Sequence, residues 1–229
     1  MVMFSCKKVL VFGDSLARGV IYDDEHGRYR ISPCAAVNSI AEKTGIEIVN
    51  RARMGMTAES GLAQMKADLE AGLSGDAVLL EFGGNDCDFD WRAISENPDA
   101  EHAPKTPLAL YERDMRDMIR LARRKNMAVA LCTLPPIISE SYFDFFSAGR
   151  LNRDNILRWL GDTNKIYRYH ERYSLLLSRL ARDCACRLLD LRSAFLEKWD
   201  PHPYFCRDGI HPNNDGQMLI RDAVLAQIG

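Results

Sequence analysis

The sequence predicts an α/β protein in which helices cover both faces of a parallel sheet, giving three layers. Five short apolar segments of strand character alternate with segments whose apolar residues recur at helical spacing. Such alternation is typical of right-handed β-α-β crossovers, which leave the strands parallel and side by side. The 229 residues, 47% of them hydrophobic, suffice for one large core, and no composition break divides them. We therefore expect a single domain over residues 1–229, with a flavodoxin-like strand order of 2-1-3-4-5.

The first strand is expected at residues 9–12, a continuous apolar run typical of a strand that is buried on both faces. It ends at Gly13, where the chain can bend tightly into the next element. The other four strands are expected at 46–50, 76–82, 127–134 and 187–191.

Helices are expected at 33–44, 57–71, 107–125, 165–183 and 215–228, because apolar residues there recur at intervals of three and four. In the fourth helix Leu175, Leu176 and Leu180 are the expected buried positions. Two connections, 87–105 and 137–163, lack clear periodicity and are expected to be irregular. The second is rich in aromatic residues, which we expect either to pack in the core or to form a substrate wall: Tyr142, Phe143, Phe145 and Phe146.

Charge and cysteine content exclude several classes of protein. A formal charge of −2 and a pI near 6.2 give no positive excess for binding nucleic acid or an anionic membrane. The N-terminal apolar run is too short to span a bilayer and has no cleavage site behind it. Seven cysteines are an odd number without C-x-x-C or zinc-type spacing, so reduced thiols are expected. These features favour a cytoplasmic protein that acts on a small molecule.

Polar motifs follow the predicted strands at their carboxyl ends. Ser15 follows the first strand, Gly55 the second and Asn85 the third, while Asp208 and His211 lie between the fifth strand and the last helix. Because the carboxyl ends of parallel strands meet at one edge of a sheet, we expect these five residues to converge there. This edge is where open α/β proteins bind their ligands.

These residue types suit the cleavage of an ester. A serine hydroxyl becomes a good nucleophile when an imidazole accepts its proton, and a carboxylate then fixes the imidazole tautomer. Ser15, His211 and Asp208 are candidates for these three roles. The developing oxyanion needs hydrogen-bond donors, and the backbone N–H groups of Ser15 and Gly55 and the side-chain amide of Asn85 are suitable.

The motifs resemble those of the SGNH (GDSL) hydrolase family of serine esterases and lipases. Four blocks occur in the family's order between residues 12 and 213: FGDSL, RMGMT, GGND and DGIHPN. The resemblance implies a cofactor-free and metal-free hydrolase. It implies that Ser15 is the nucleophile, His211 the general base and Asp208 the carboxylate that orients it. It also implies that Gly55 and Asn85 are oxyanion donors in addition to the Ser15 N–H.

The second block departs from the family's pattern. The family has an asparagine beside the glycine, whereas Arg53 and Met54 precede Gly55 here. The assignment of Gly55 therefore depends on its position after the second strand rather than on the complete motif.

Other interpretations remain open from the sequence. A flavodoxin-like binding module could hold a phosphate at the turn after the first strand without catalysis. A metal hydrolase would need a further cluster of His or carboxylate ligands. His202 with Asp200 could replace His211 with Asp208. The remaining histidines, His26, His102 and His170, are expected at the surface or in loops. Asp14 and Asp86 are expected to stabilise their own turns.

The activity expected from the resemblance is hydrolysis of a carboxylic ester of a small molecule through an acyl-enzyme. An acetyl ester of a carbohydrate is the candidate substrate, and thioesterase or lysophospholipase activity is the alternative.

Overall fold

The computed structural model describes residues 6–228, so part of the N-terminal apolar run, residues 1–5, lies outside the described residues, as does residue 229. The described part contains seven strands: β1 (Lys8–Gly13), β2 (Val20–Asp23), β3 (Arg28–Ile31), β4 (Glu47–Asn50), β5 (Ala77–Glu81), β6 (Ala128–Cys132) and β7 (Arg187–Leu189). No helix between residues 6 and 228 has both the length and the hydrophobicity that crossing a bilayer requires.

Five of these strands form one parallel sheet in the order β4-β1-β5-β6-β7. When these five strands are renumbered in chain order, the order across the sheet is 2-1-3-4-5, which confirms the predicted topology. Four of the five strands are one to three residues shorter than expected, whereas β1 extends one residue further at each end, over 8–13 instead of 9–12. For example, β6 covers 128–132 rather than 127–134, and beyond it the Leu134 N–H donates to Ser174 Oγ at 3.1 Å instead of to a neighbouring strand.

Helices lie in chain order as α1 (Ser15–Arg18), α2 (Ala36–Thr44), α3 (Ala58–Glu70), α4 (Trp91–Glu96), α5 (Leu108–Arg124), α6 (Ser139–Ser147), α7 (Arg153–Leu160), α8 (Asn164–Asp183), α9 (Arg192–Leu196) and α10 (Asn214–Ile228). On one face of the sheet, α3, α5 and α8 bury apolar side chains such as Met65, Met118 and Leu177 against Leu10 and Leu80. On the other face α2 and α10 cover Cys132 and Leu189. The three predicted layers are therefore confirmed.

The hairpin formed by β2 and β3 was not expected from the sequence. It pairs Val20 with Ile31 and Asp23 with Arg28 in antiparallel register. Most of its outer strand is exposed, so the strand lacks the apolar face by which periodicity reveals a strand.

The two connections expected to be irregular contain short helices. Residues 87–105 include α4, and residues 137–163 include α6 and α7. Their apolar residues pack mainly on one another, in a separate cluster that includes Trp91, Phe143 and Ile156, instead of on the sheet. Helices this short present too few turns for a periodic pattern to be read.

Two smaller expectations also need correction. The helix expected at residue 33 begins at Ala36, because the preceding residues form a turn in which Ala35 N–H donates to the Ser32 carbonyl. In α8, Leu175 is exposed whereas Leu176 and Leu180 are buried as expected. The cysteines from Cys34 to Cys206 are free thiols, as predicted.

Candidate active site

Ser15 is the first residue of α1 and follows β1 after a tight bend. A Cβ added to Gly13 would lie 2.6 Å from the Glu81 carbonyl oxygen and 2.9 Å from Ala17 Cβ, so the bend requires glycine. Asp14 caps α1, because its Oδ1 accepts the Leu16 N–H at 2.9 Å. The structural role expected for Asp14 is therefore confirmed, and the turn presents the Ser15 hydroxyl at the carboxyl edge of the sheet.

The structure brings Ser15, His211 and Asp208 into one hydrogen-bonded chain. Ser15 Oγ lies 2.8 Å from His211 Nε2, and His211 Nδ1 lies 2.6 Å from Asp208 Oδ2. Asp208 is fully buried and His211 nearly so. Burial alone would raise the pKa of Asp208, but hydrogen bonds from the His211 ring and from the backbone N–H groups of Ile210 and His211 outweigh it and lower this pKa. The carboxylate therefore accepts from Nδ1, which leaves Nε2 to accept the serine proton.

A close approach to the segment after β6 holds the Asp208 loop in place. Gly209 has a φ of +73°, and an added Cβ there would lie 2.5 Å from the Ile138 carbonyl oxygen. Ile138 N–H donates to the Gly209 carbonyl at 2.8 Å. Glycine is therefore required at position 209, because a side chain there would prevent the packing that positions Asp208 and His211.

The expected oxyanion donors surround the same cavity. Gly55 has a φ of +81°, a Cβ added there would have no atom within 4 Å, and both Gly55 and Asn85 line the cavity beside Ser15. Asn85 Nδ2 donates to Asp14 Oδ2 at 3.0 Å and to the Met56 carbonyl at 3.1 Å. These two acceptors orient the amide, so a substrate oxygen would share hydrogens that already have partners.

Two buried carboxyl groups, Glu81 and Asp14, lie next to each other beneath this site. Their pairing was not predicted from the sequence. Glu81 Oε2 accepts the N–H groups of Asp14 and Ala17 at 3.3 and 3.2 Å. Burial, and secondly the Asp14 charge, raise the pKa of Glu81 well above its usual value. The raised pKa favours the neutral form of Glu81. Its two hydrogen bonds tie the end of β5 to the turn that carries Ser15.

Asp86 was expected to form hydrogen bonds within its own loop, but its side chain accepts a hydrogen bond from another element. Its two carboxylate oxygens lie 2.9 and 3.2 Å from the N–H of Ala58, at the start of α3. Burial raises the pKa of Asp86 to about 6, although the Ala58 N–H and the Thr106 side chain favour its charged form. Asp86 thus fixes the Asn85 loop to the first turn of α3.

Tyr29, on β3, is a site residue that sequence reasoning missed. Its ring lies against the His211 ring with centroids 5.1 Å apart, and it lines the cavity. Burial, together with the Asp208 carboxylate, raises the pKa of the Tyr29 phenol. The two tyrosines that flank the Asp-Asp-Glu-His-Gly turn are the only sequence signal for this contact, and they indicate it weakly.

The structure brings His211, and not His202, to Ser15. His202 is 64% exposed and its Nδ1 lies 2.6 Å from Asp200 Oδ1, at the surface. Within residues 6–228, one group of potential metal ligands lies close together, formed by Asp23, Glu25 and His26 at the tip of the hairpin, and none of the three lines the cavity.

The cavity at Ser15 has a volume of about 190 Å³. Besides the polar residues above, aromatic side chains line it: Phe89, Trp91, Tyr142 and Tyr169. Tyr142 donates its hydroxyl to Asp88 Oδ1 at 2.9 Å, whereas the adjacent Phe143 is buried in the core. Within this aromatic segment, Tyr142 therefore lies in the cavity wall and Phe143 lies in the core. A larger cavity, about 480 Å³, lies between the sheet and α2 and α10, but its lining is mostly aliphatic and lacks Ser15 and His211.

Fold and site together define an α/β protein of the hydrolase type. The chain belongs to the GDSL-like lipase/acylhydrolase family, whose sequence profile matches residues 11–219. This confirms the family that the four blocks indicated.

Solved structures with the same fold include several hydrolases. A lipase/acylhydrolase from Enterococcus faecalis superposes with a TM-score of 0.68 at 18% identity, over 97% of this chain and 95% of that one. An acetylxylan esterase from Geobacillus stearothermophilus gives 0.67 at 20% identity, over 97% and 94%. A psychrotrophic esterase from Pseudoalteromonas sp. gives 0.62 at 19% identity, over 97% and 96%. No match to a curated protein sequence was found. At these identities, the structural matches establish the fold.

Proposed function

We propose that the protein is a serine esterase that cleaves a carboxylic ester of a small molecule through an acyl-enzyme intermediate. The observation that carries the proposal is the continuous chain of hydrogen bonds from Ser15 Oγ through His211 to the buried Asp208. A phosphate-binding module would use the turn at Ser15 but would have no use for the other two residues.

In the proposed reaction, Ser15 Oγ attacks the ester carbonyl carbon while His211 Nε2 accepts the hydroxyl proton. Asp208 stabilises the imidazolium, and the Ser15 and Gly55 N–H groups and the Asn85 amide bind the oxyanion. His211 then donates the proton to the departing alcohol oxygen. Water, deprotonated by the same imidazole, then attacks the acyl-serine carbonyl carbon. As the bond to Ser15 Oγ breaks and the acid leaves, the imidazolium returns its proton to Ser15 Oγ. Each step uses side chains and backbone N–H groups of this chain together with water. The proposal therefore includes no cofactor, nucleic acid or membrane partner.

We propose a short acyl group, with an acetyl ester of a carbohydrate as the candidate substrate. The cavity volume of about 190 Å³ lies below the roughly 300–1,000 Å³ of sites that enclose drug-sized ligands. Its aromatic wall suits the face of a sugar ring. The acetylxylan esterase with the same fold supports this choice.

A series of p-nitrophenyl esters tests the proposal. We expect kcat/KM to be highest for the acetate and to fall by roughly tenfold or more once the acyl chain exceeds about four carbons, because further methylenes do not fit. Acetylated xylose and acetylated glucose should then be hydrolysed faster than lysophosphatidylcholine. A maximum at eight or more carbons would contradict the short-acyl proposal and favour lysophospholipase activity.

Replacing Asn85 by alanine tests the oxyanion site. We expect kcat on p-nitrophenyl acetate to fall by roughly 10²–10³ with little change in KM, as the loss of one oxyanion donor does elsewhere. Asn38→Ala, on α2 and outside the cavity lining, is the control and should retain full activity. A raised KM with unchanged kcat would instead assign Asn85 to substrate binding.

A further inference from the structure

A buried histidine with an unpartnered nitrogen lies in the wall of the cavity, on α8. His170 is 5% exposed and lines the same cavity as Ser15. Among residues 6–228 neither ring nitrogen has a hydrogen-bond partner; Nδ1 is sealed from solvent, whereas Nε2 is not. The expectation that His170 lies at the surface or in a loop is therefore wrong. Since buried polar side chains almost always have hydrogen-bond partners in native proteins, an imidazole without one at either nitrogen indicates a function.

The environment of His170 keeps its ring neutral. Burial, and secondly the guanidinium of Arg192, lower the pKa of His170 to about 3. Arg192 is itself buried and donates to the Leu134 carbonyl at 3.3 Å and to the Tyr167 hydroxyl. A neutral imidazole has one N–H donor and one acceptor nitrogen. Because a buried N–H without a partner is rarer than a buried acceptor without one, the proton is best placed on Nε2, the ring nitrogen that is not sealed from solvent.

A neighbouring polar cluster in the cavity already has its partners. Asp88 Oδ1 accepts from Trp91 Nε1 at 2.8 Å and from the Tyr142 hydroxyl at 2.9 Å, and Asp88 Oδ2 accepts from Lys105 Nζ at 2.8 Å. These bonds orient the aromatic wall without needing a ligand. His170 differs, because no group among residues 6–228 accepts a hydrogen bond from its Nε2.

We propose that His170 determines specificity by donating a hydrogen bond to an uncharged oxygen of the substrate, such as a hydroxyl group near the scissile ester. This inference rests on the proposed esterase function and narrows its substrates to hydroxylated esters. The cavity holds roughly six water volumes, so only a few atoms separate that hydroxyl from the ester carbonyl. The hydroxyl lies on either the acyl or the alcohol side, and the experiment distinguishes the two.

Two pairs of near-isosteric esters test the proposal. Methyl hydroxyacetate and methyl propanoate differ on the acyl side, whereas 2-hydroxyethyl acetate and propyl acetate differ on the alcohol side. In each pair the ratio of kcat/KM values, hydroxyl over methyl, is measured for the wild type and for His170→Phe, so differences in intrinsic reactivity cancel. We expect His170→Phe to lower one ratio by roughly tenfold, the effect of one buried hydrogen bond. The pair of esters whose ratio falls shows whether the recognised hydroxyl is on the acyl or the alcohol side.

Matched variants separate recognition from folding. His170→Gln, which keeps an amide donor, should retain part of the preference, and the exposed His202→Phe should leave both ratios unchanged. Thermal unfolding checks that each variant folds. If His170→Phe does not fold, the proposal stands on His170→Gln, in which one of the two ratios should fall below its wild-type value. Unchanged ratios in a folded His170→Phe, or in His170→Gln alone if only that variant folds, would overturn the proposal.

A binding experiment separates failure of this proposal from failure of the esterase function. Ring ¹⁵N shifts of His170 are followed in Ser15→Ala while each of the four esters is added. A change in the ¹⁵N shift with a hydroxylated ester, and not with its methyl partner, supports recognition by His170 even if the wild type proves inactive. An inactive wild type would overturn the esterase function alone. An active wild type without a hydroxyl-dependent shift would overturn the role of His170 alone.

Discussion

Ser15→Ala will abolish ester hydrolysis and leave the fold intact. The substitution removes one oxygen, whose hydrogen-bond partner in the structure is His211 Nε2, so little packing is lost. Losing the nucleophile of such a triad lowers kcat by roughly 10⁶ in a serine protease. The measurement is kcat on p-nitrophenyl acetate, together with the thermal unfolding temperature, which should remain close to that of the wild type.

A serine outside the cavity provides the control. Ser193 lies on α9 and donates its hydroxyl to Asp190 Oδ2 at 2.6 Å. Ser193→Ala should keep wild-type kcat. If Ser15→Ala retained a tenth of wild-type activity while folded, Ser15 would not be the nucleophile.

His211→Ala should also remove the activity, and Asp208→Asn should reduce kcat by roughly 10⁴, as the corresponding change does in a serine protease. An amide has nearly the same shape as the carboxylate, but it does not stabilise the imidazolium. In the structure Asp208 is the hydrogen-bond partner of His211 Nδ1, and no backbone carbonyl replaces it within residues 6–228. We therefore expect the full loss rather than a partial one. The measurement is kcat for both variants under conditions where each is folded.

His202→Ala is the matched control for His211→Ala. His202 is exposed and bonded to Asp200, so its loss should leave most of the activity and the same dependence on pH. An inactive His202→Ala with an active His211→Ala would require the site to be rebuilt around Asp200 and His202.

Much of the fold could be predicted because the sheet is buried on both faces. Continuous apolar runs such as the one at residues 9–12 indicate strands, and helical periodicity between them indicates the crossovers. The β2–β3 hairpin and the short helices α4, α6 and α7 were missed for a physical reason. Their stability comes from packing against non-local partners, for example Trp91 stacked on Phe146 with centroids 4.4 Å apart. Local sequence does not record such contacts.

The candidate site was predictable where residue types occur in ordered blocks, and not elsewhere. Ser15, Asn85 and His211 follow strands or loops that the topology brings together. Glu81 is part of a strand, and its burial beside Asp14 has no sequence signature. His170 was missed because the buried face of α8 was drawn through Leu175, whereas the observed face contains Ile166, Tyr173 and Leu177 and includes the histidine.

Covalent labelling of Ser15 tests the central claim most directly. A p-nitrophenyl alkylphosphonate reacts with an activated serine and leaves a stable phosphonyl group on its oxygen, in place of the acyl group. Intact-mass and peptide mass spectrometry should show one adduct per chain, on the peptide that contains Ser15, with activity lost in proportion to labelling. Ser15→Ala should remain unlabelled, and His211→Ala should label far more slowly. An adduct at another residue, or full turnover by protein labelled at Ser15, would contradict the account.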